Sequence, residues 1–196
     1  MAEKFKFQKI KKIHCNEVAK IHYKELSDGI LSLFGQSYLN HFYEQMTNER
    51  GWGYVVLKDK KVAGFIFSEN KDINKLGLIR PSDMGMIIIN LLLKPKFIIN
   101  ILFSAFISRF YDSADSGKNV SIISQFAVSK CYQSKGYGKR LLKLFENESR
   151  KRSFKTILTS THNMNLRNFY ISEKRIKKEI VIPNIGFKNF IISWEL

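Results

Sequence analysis

The spacing of apolar positions changes several times along the chain, and each change marks an element. Residues 4–10 alternate apolar with charged, the pattern of an edge strand. Asn16 then stands where it can cap a helix running through Val18, Ile21, His22 and Glu25, which Ser27-Asp28-Gly29 breaks. Residues 30–34 and 38–46 read as helical, the second with Leu39, Phe42, Tyr43 and Met46 on one stripe. Residues 53–57 and 61–68, parted by the polar turn Lys58-Asp59-Lys60, read as a hairpin of two apolar strands.

Residues 84–110 are the most apolar part, in two halves, 84–93 and 97–107, divided by Lys94-Pro95-Lys96. A membrane-spanning helix takes about 20 apolar residues, so neither half crosses a bilayer. The pattern predicts a helical hairpin that covers a sheet or makes a subunit contact, such as that of a homodimer; a membrane-surface anchor is the alternative. Residues 119–129 read as one strand buried on both faces at its centre, through Val120, Ile122, Ile123, Phe126, Ala127 and Val128. A helix with Leu141, Leu142, Leu144 and Phe145 follows from Gly136. Then come a strand at 156–161, a helix at about 163–173, and strands at 176–182 and 187–194 joined through Pro183-Asn184-Ile185-Gly186. This order predicts an α/β or α+β fold with mixed strand direction. No repeat or linker interrupts it, and one domain over residues 1–196 is expected.

Composition narrows the class. Hydrophobic residues make up 44% and charged residues 26% of the 196, as in ordinary folded chains. Cys15 and Cys131 form no C-x-x-C pair, so neither a disulfide framework nor a metal site is expected, and a reducing cytoplasm fits best. The lysine-rich N-terminus lacks the apolar core of a signal peptide. The net charge of +16 favours polyanions, anionic membranes and phosphate-bearing ligands alike. The lysines are spread along the chain and no RNP1 box or Cys/His finger is present, which makes nucleic acid a poor candidate.

The chemistry concentrates between Val128 and Leu142, where Gln133, Gly136 and Gly138 lie between a buried strand and an amphipathic helix. Glycines let backbone approach a ligand closely, and the free N–H groups and dipole of a helix start attract an anion such as a pyrophosphate. Leu141 replaces the third glycine of a dinucleotide fingerprint, and Gly117-Lys118 lacks the upstream glycine of a P-loop. An ordinary tight turn is the other reading of these glycines.

What remains is Q-x-x-G-x-G after a strand ending in Val, which resembles the acyl-CoA motif of the GNAT (GCN5-related) N-acetyltransferases. Downstream, Asn163-x-x-Leu166-x-x-Phe169-Tyr170 resembles that family's second signature. Residues 22–42 are similar to the first helices of small bacterial members. The family's Gly-Phe a few residues past the tyrosine is replaced by residues 171–175, with Gly186-Phe187 farther on.

The resemblance implies a mixed, mostly antiparallel sheet flanked by helices, with a V-shaped cofactor cleft between two central strands. It implies acetyl-CoA as co-substrate and direct transfer to an amine of a small molecule, an amino sugar or sugar nucleotide being one class. Backbone from Gln133 through Ser134, Lys135, Gly136, Tyr137, Gly138 and Lys139 would hold the pyrophosphate, Phe126, Ala127 and Val128 would pair with the pantetheine arm, and Asn163 would touch the cofactor as well as cap its helix. Tyr170 would be the general acid for the thiolate, with a core aromatic as its other reading. The candidates to deprotonate the amine are Asp28, His162, His22 and Glu25. A protein N-acetyltransferase, or a basic nucleic-acid- or membrane-binding protein with a non-catalytic CoA site, are the competing readings.

Overall fold

The computed structural model describes residues 5–69, 76–93, 119–173, 176–184 and 187–196. The expected helix at 97–107, the Gly117-Lys118 pair and residues 185–186 of the last turn lie outside them.

Among the described residues the elements run β1 (Phe5–Lys9), α1 (Cys15–Glu25), a short 3-10 helix (Ile30–Phe34), α2 (Gly35–Gln45), β2 (Gly51–Lys58), β3 (Lys61–Glu69) and α3 (Met84–Leu93). There follow β4 (Val120–Ile123), β5 (Gln125–Val128), α4 (Tyr137–Lys151), β6 (Thr156–Thr161), α5 (Met164–Glu173), β7 (Lys178–Asn184) and β8 (Phe187–Glu195). The strands form two four-stranded sheets, β1-β2-β3-β5 and β4-β6-β8-β7. Every pairing is antiparallel except β4 with β6. The mixed, mostly antiparallel α/β architecture expected from the sequence is the one observed.

Alternation along the strands explains how the first sheet is held. Val55, Phe65, Phe67 and Ala127 join a core with Val18 and Ala19 of α1 and Leu39, Phe42 and Tyr43 of α2. Their neighbours Val56, Ile66 and Phe126 join a second core with Leu141, Leu142 and Phe145 of α4. A period of two thus feeds opposite faces of one sheet, and helices cover both. The β2–β3 turn is tight because Asp59 and Lys60 both take left-handed backbone, with φ of 48° and 67°, the requirement of a two-residue hairpin loop.

Two expectations are corrected. Helix α1 begins one residue before Asn16, with His14 in the capping position and no side-chain cap, so Asn16 lies within the first turn. His14 is fixed instead by accepting the Lys11 N–H on Nδ1 at 3.0 Å, and burial holds its pKa below the usual imidazole value. Next, 119–129 is not one strand. It breaks at Ser124, and its two halves belong to different sheets. Ser124 serves the break directly: its N–H donates to Phe67 O at 2.9 Å and its hydroxyl accepts the Glu69 N–H at 3.2 Å. Helix α3, the half of the expected hairpin that lies among the described residues, docks on the 3-10 helix before α2 and on the Pro81–Asp83 turn. Asn90 Nδ2 donates to Leu33 O at 2.8 Å at that contact.

Candidate active site

The break at Ser124 shapes the site. Pairing of β4 with β6 stops at Ile123↔Thr159, where the Thr159 hydroxyl donates to Ile123 O at 3.2 Å. Beyond that point β6 continues beside β8, through Ser160↔Ile191 and Thr161↔Phe190. β5 follows β3, through Phe67↔Gln125 to Gly64↔Val128. Among the described pairings β5 has a strand partner on one side only, and its second edge faces the gap left as β6 diverges. Unpaired strand edge is a ready template for an extended amide-bearing ligand. Phe126, Ala127 and Val128 supply that edge. On the paired side Gly64 makes a close approach: a Cβ there would meet Ala127 O and Val128 Cγ2, both at 3.0 Å.

The chain then turns sharply into α4. Ser129 N–H donates to Ala63 O of β3 at 2.9 Å and Gln133 Nε2 donates to Val128 O at the end of β5 at 2.8 Å, so the turn is tied to both strands. Ser134 and Gly136 take left-handed backbone, with φ of 59° and 80°. Gly136 occupies the N-cap, and a Cβ placed on it would meet nothing within 4 Å. The first helical hydrogen bond runs from Arg140 N–H to Gly136 O, so the amides of Tyr137, Gly138 and Lys139 precede the ladder. The result is an exposed helix N-terminus with backbone donors, open space over Gly136, and no acidic residue in the first turn. Such a helix start can attract an anion.

Gly138 joins the loop to the second motif. A Cβ on it would lie 3.4 Å from Phe126 Cζ and 3.7 Å from Phe169 Cζ, so the first turn of α4 rests on these rings. Phe169 and Tyr170 follow from the α5 cap: Asn163 Oδ1 accepts the Leu166 N–H at 3.1 Å. Tyr170 is 0% exposed, with its ring centroid 6.2 Å from Phe126, 5.7 Å from Phe169 and 5.6 Å from Trp194. Trp194 is itself held by donating to Glu146 Oε1 at 2.9 Å. Thus Gly138, Phe169 and Tyr170, far from β5 in sequence, converge on the ring of its Phe126.

The cationic candidates divide. Lys139 is ion-paired with Glu173 at 2.9 Å, Lys135 lies over the Tyr132 ring at 5.8 Å, and Arg140 over Phe7 at 4.5 Å. Tyr137 stacks on Phe5 at 4.1 Å, an aromatic contact between β1 and the first residue of α4 that the sequence pattern does not show. Of the candidate bases, Asp28 and His162 are exposed, on the α1–α2 and β6–α5 loops. His22 is buried with Nδ1 2.7 Å from the Tyr43 hydroxyl, whose pKa burial pushes well up. Glu25 Oε1 accepts the Lys130 N–H at 3.0 Å, so it supports the loop.

Comparison with known proteins bears on this arrangement. The family model described as Acetyltransferase (GNAT) family matches residues 19–173. Among solved structures, YncA from Salmonella typhimurium with its cofactor acetyl-CoA superposes with a TM-score of 0.63 at 11% identity, covering 98% of this chain and 94% of that one. The PaiA N-acetyltransferase from Thermoplasma acidophilum, in complex with coenzyme A, gives 0.56 at 12% identity, covering 98% and 99%. No curated protein matches. At these identities the structural likeness speaks for the fold.

Proposed function

The chain belongs to the GNAT acetyltransferase family, and from that membership we propose that it moves an acetyl group from acetyl-CoA directly to the amine of a small molecule. The observation that carries this reading is the one-sided edge of β5 running into the Gln133–Lys139 turn, which offers amide pairing and an anion cradle in one line. We take residues 1–196 to act as one domain in the cytoplasm. Among the described residues no helix is long and apolar enough to cross a membrane.

When bound, acetyl-CoA supplies an acyl group activated as a thioester. Amides of Gly136 to Lys139 attract the pyrophosphate charge, and the main chain of Phe126 to Val128 pairs with the pantetheine amides. Tyr170, packed on Phe126 of that strand, holds the proton given to the departing thiolate. An alkyl amine with a pKa near 10.4 is neutral in only about one part in a few thousand at pH 7, so a base must take its proton. Asp28 and His162, exposed on two loops, are the candidates for that step, directly or through water. Orientation of amine against thioester supplies much of the remaining rate. An amino sugar or sugar nucleotide suits the net charge of +16, which draws phosphate-bearing acceptors.

The test is a panel of amines, with amino sugars and nucleotide sugars included, incubated with acetyl-CoA while free thiol is followed. Acceptor-dependent thiol release, with the acetylated product seen by mass, is expected. Absence of both turnover and CoA binding contradicts the reading.

A further inference from the structure

Helix α3 is built against the usual rule for a surface helix. It has ten residues and none is buried. Met84, Met86, Ile88, Ile89, Leu92 and Leu93 are 48%, 46%, 52%, 51%, 77% and 73% exposed. The inner side is held by Asn90 on Leu33 O, by Ile87 against the first core, and by Met86 close to Gly35. The outer side is therefore apolar along its whole length, where an amphipathic surface helix would carry charge. A contiguous apolar patch of this kind marks an interaction surface.

Shape and charge select the partner. The patch is the convex face of one helix, which encloses no small ligand. A second copy brings its own net charge of +16, so two chains meet against mutual repulsion. An anionic bilayer meets both demands, taking apolar side chains below its headgroups while its negative surface potential attracts a cationic protein. The ten residues span about 15 Å at helical rise, half of a hydrocarbon core, so the helix lies along the interface and does not cross it.

We propose that the outer face of α3 seats this protein on the surface of an anionic lipid bilayer. The seating is independent of acetyl transfer, which has its own readout. It requires both the apolar face for insertion and the positive charge for approach.

The experiment is flotation of the full chain with vesicles of phosphatidylcholine alone or with about one-third phosphatidylglycerol. It is repeated for the triple variant Ile89→Ser, Leu92→Ser, Leu93→Ser, whose exposed positions leave the fold intact, as circular dichroism verifies. Flotation with the anionic vesicles is expected, weakened on the order of tenfold in the triple variant and on the same order without phosphatidylglycerol. Flotation with neither vesicle, equal flotation of the variant, or binding indifferent to phosphatidylglycerol overturns the proposal. So does sedimentation showing a dimer that the same triple variant dissociates, because a second copy then covers the face.

Discussion

Gln133 Nε2 donates to the carbonyl oxygen of Val128 at 2.8 Å, fastening the turn that precedes α4 to the last residue of β5. The bond fixes the spacing between the strand edge and the helix amides. Gln133→Ala removes it; a neutral hydrogen bond is worth about 1 kcal/mol, or roughly fivefold in affinity. Steady-state kinetics should show KM for acetyl-CoA raised by about that factor, with kcat and the melting temperature little changed.

Gly136 and Gly138 should respond differently to substitution. Gly136 has open space but a φ of 80°, so Gly136→Ala strains only the backbone, by about 1 kcal/mol. Gly138 lies on Phe126 and Phe169, so Gly138→Val overpacks the rings and costs about 1–3 kcal/mol. Denaturant unfolding of both variants checks the order, with Gly138→Val the less stable.

Tyr170→Phe keeps the ring among Phe126, Phe169 and Trp194 but removes the proton that the thiolate needs. A fall in kcat of about 100-fold is expected, with acetyl-CoA binding retained by calorimetry. Full activity of the variant assigns Tyr170 to the core alone.

Burial pushes the Glu148 carboxyl up, but Lys9 at 3.0 Å, the Tyr54 hydroxyl at 3.1 Å and Arg152 at 3.2 Å outweigh it and hold its pKa below the usual range. A depressed folded pKa contributes stability that is complete above the unfolded value of about 4.3 and is lost as pH falls through the folded one. Melting temperature should therefore drop as acid is added below about pH 4.3. Glu148→Gln should be less stable at neutral pH and show a shallower acid decline.

The two thiols should label unequally. Cys15 is buried, which raises its pKa to about 11, whereas Cys131 is exposed two residues before Gln133. A thiol reagent at mildly alkaline pH should modify Cys131 alone, and acetyl-CoA should slow it. Rapid labelling of Cys15 in the folded chain contradicts this burial.

Local patterning made much of this visible in sequence. The strand at 156–161 has the bounds its pattern predicts, and Asn163 caps its helix as its residue type suggests. Gly136 and Gly138 announced the turn before α4 because few other residues suit left-handed backbone or close ring contact. The break at Ser124 was hidden because apolar residues on both sides keep one strand-like pattern, although Ser124-Gln125 is a polar interruption within it. Nothing local says that Val120–Ile123 and Gln125–Val128 choose different partners; that is decided by pairing with β6 and β3. The position of α3 was equally illegible, since a continuous apolar run suits a buried helix and an exposed one. Contacts across long separations, such as Tyr137 on Phe5 and Glu25 on the Lys130 amide, leave no periodic trace.

Calorimetric titration of the intact chain with acetyl-CoA, run beside Gly136→Ala, tests most directly whether the β5 edge and the α4 amides form the cofactor cradle. A saturable one-to-one titration is expected, with an affinity lower by about tenfold, or about 1.4 kcal/mol, in the variant, whose methyl group stands over the cradle amides. No heat with the intact chain, or equal affinity in the two proteins, contradicts it.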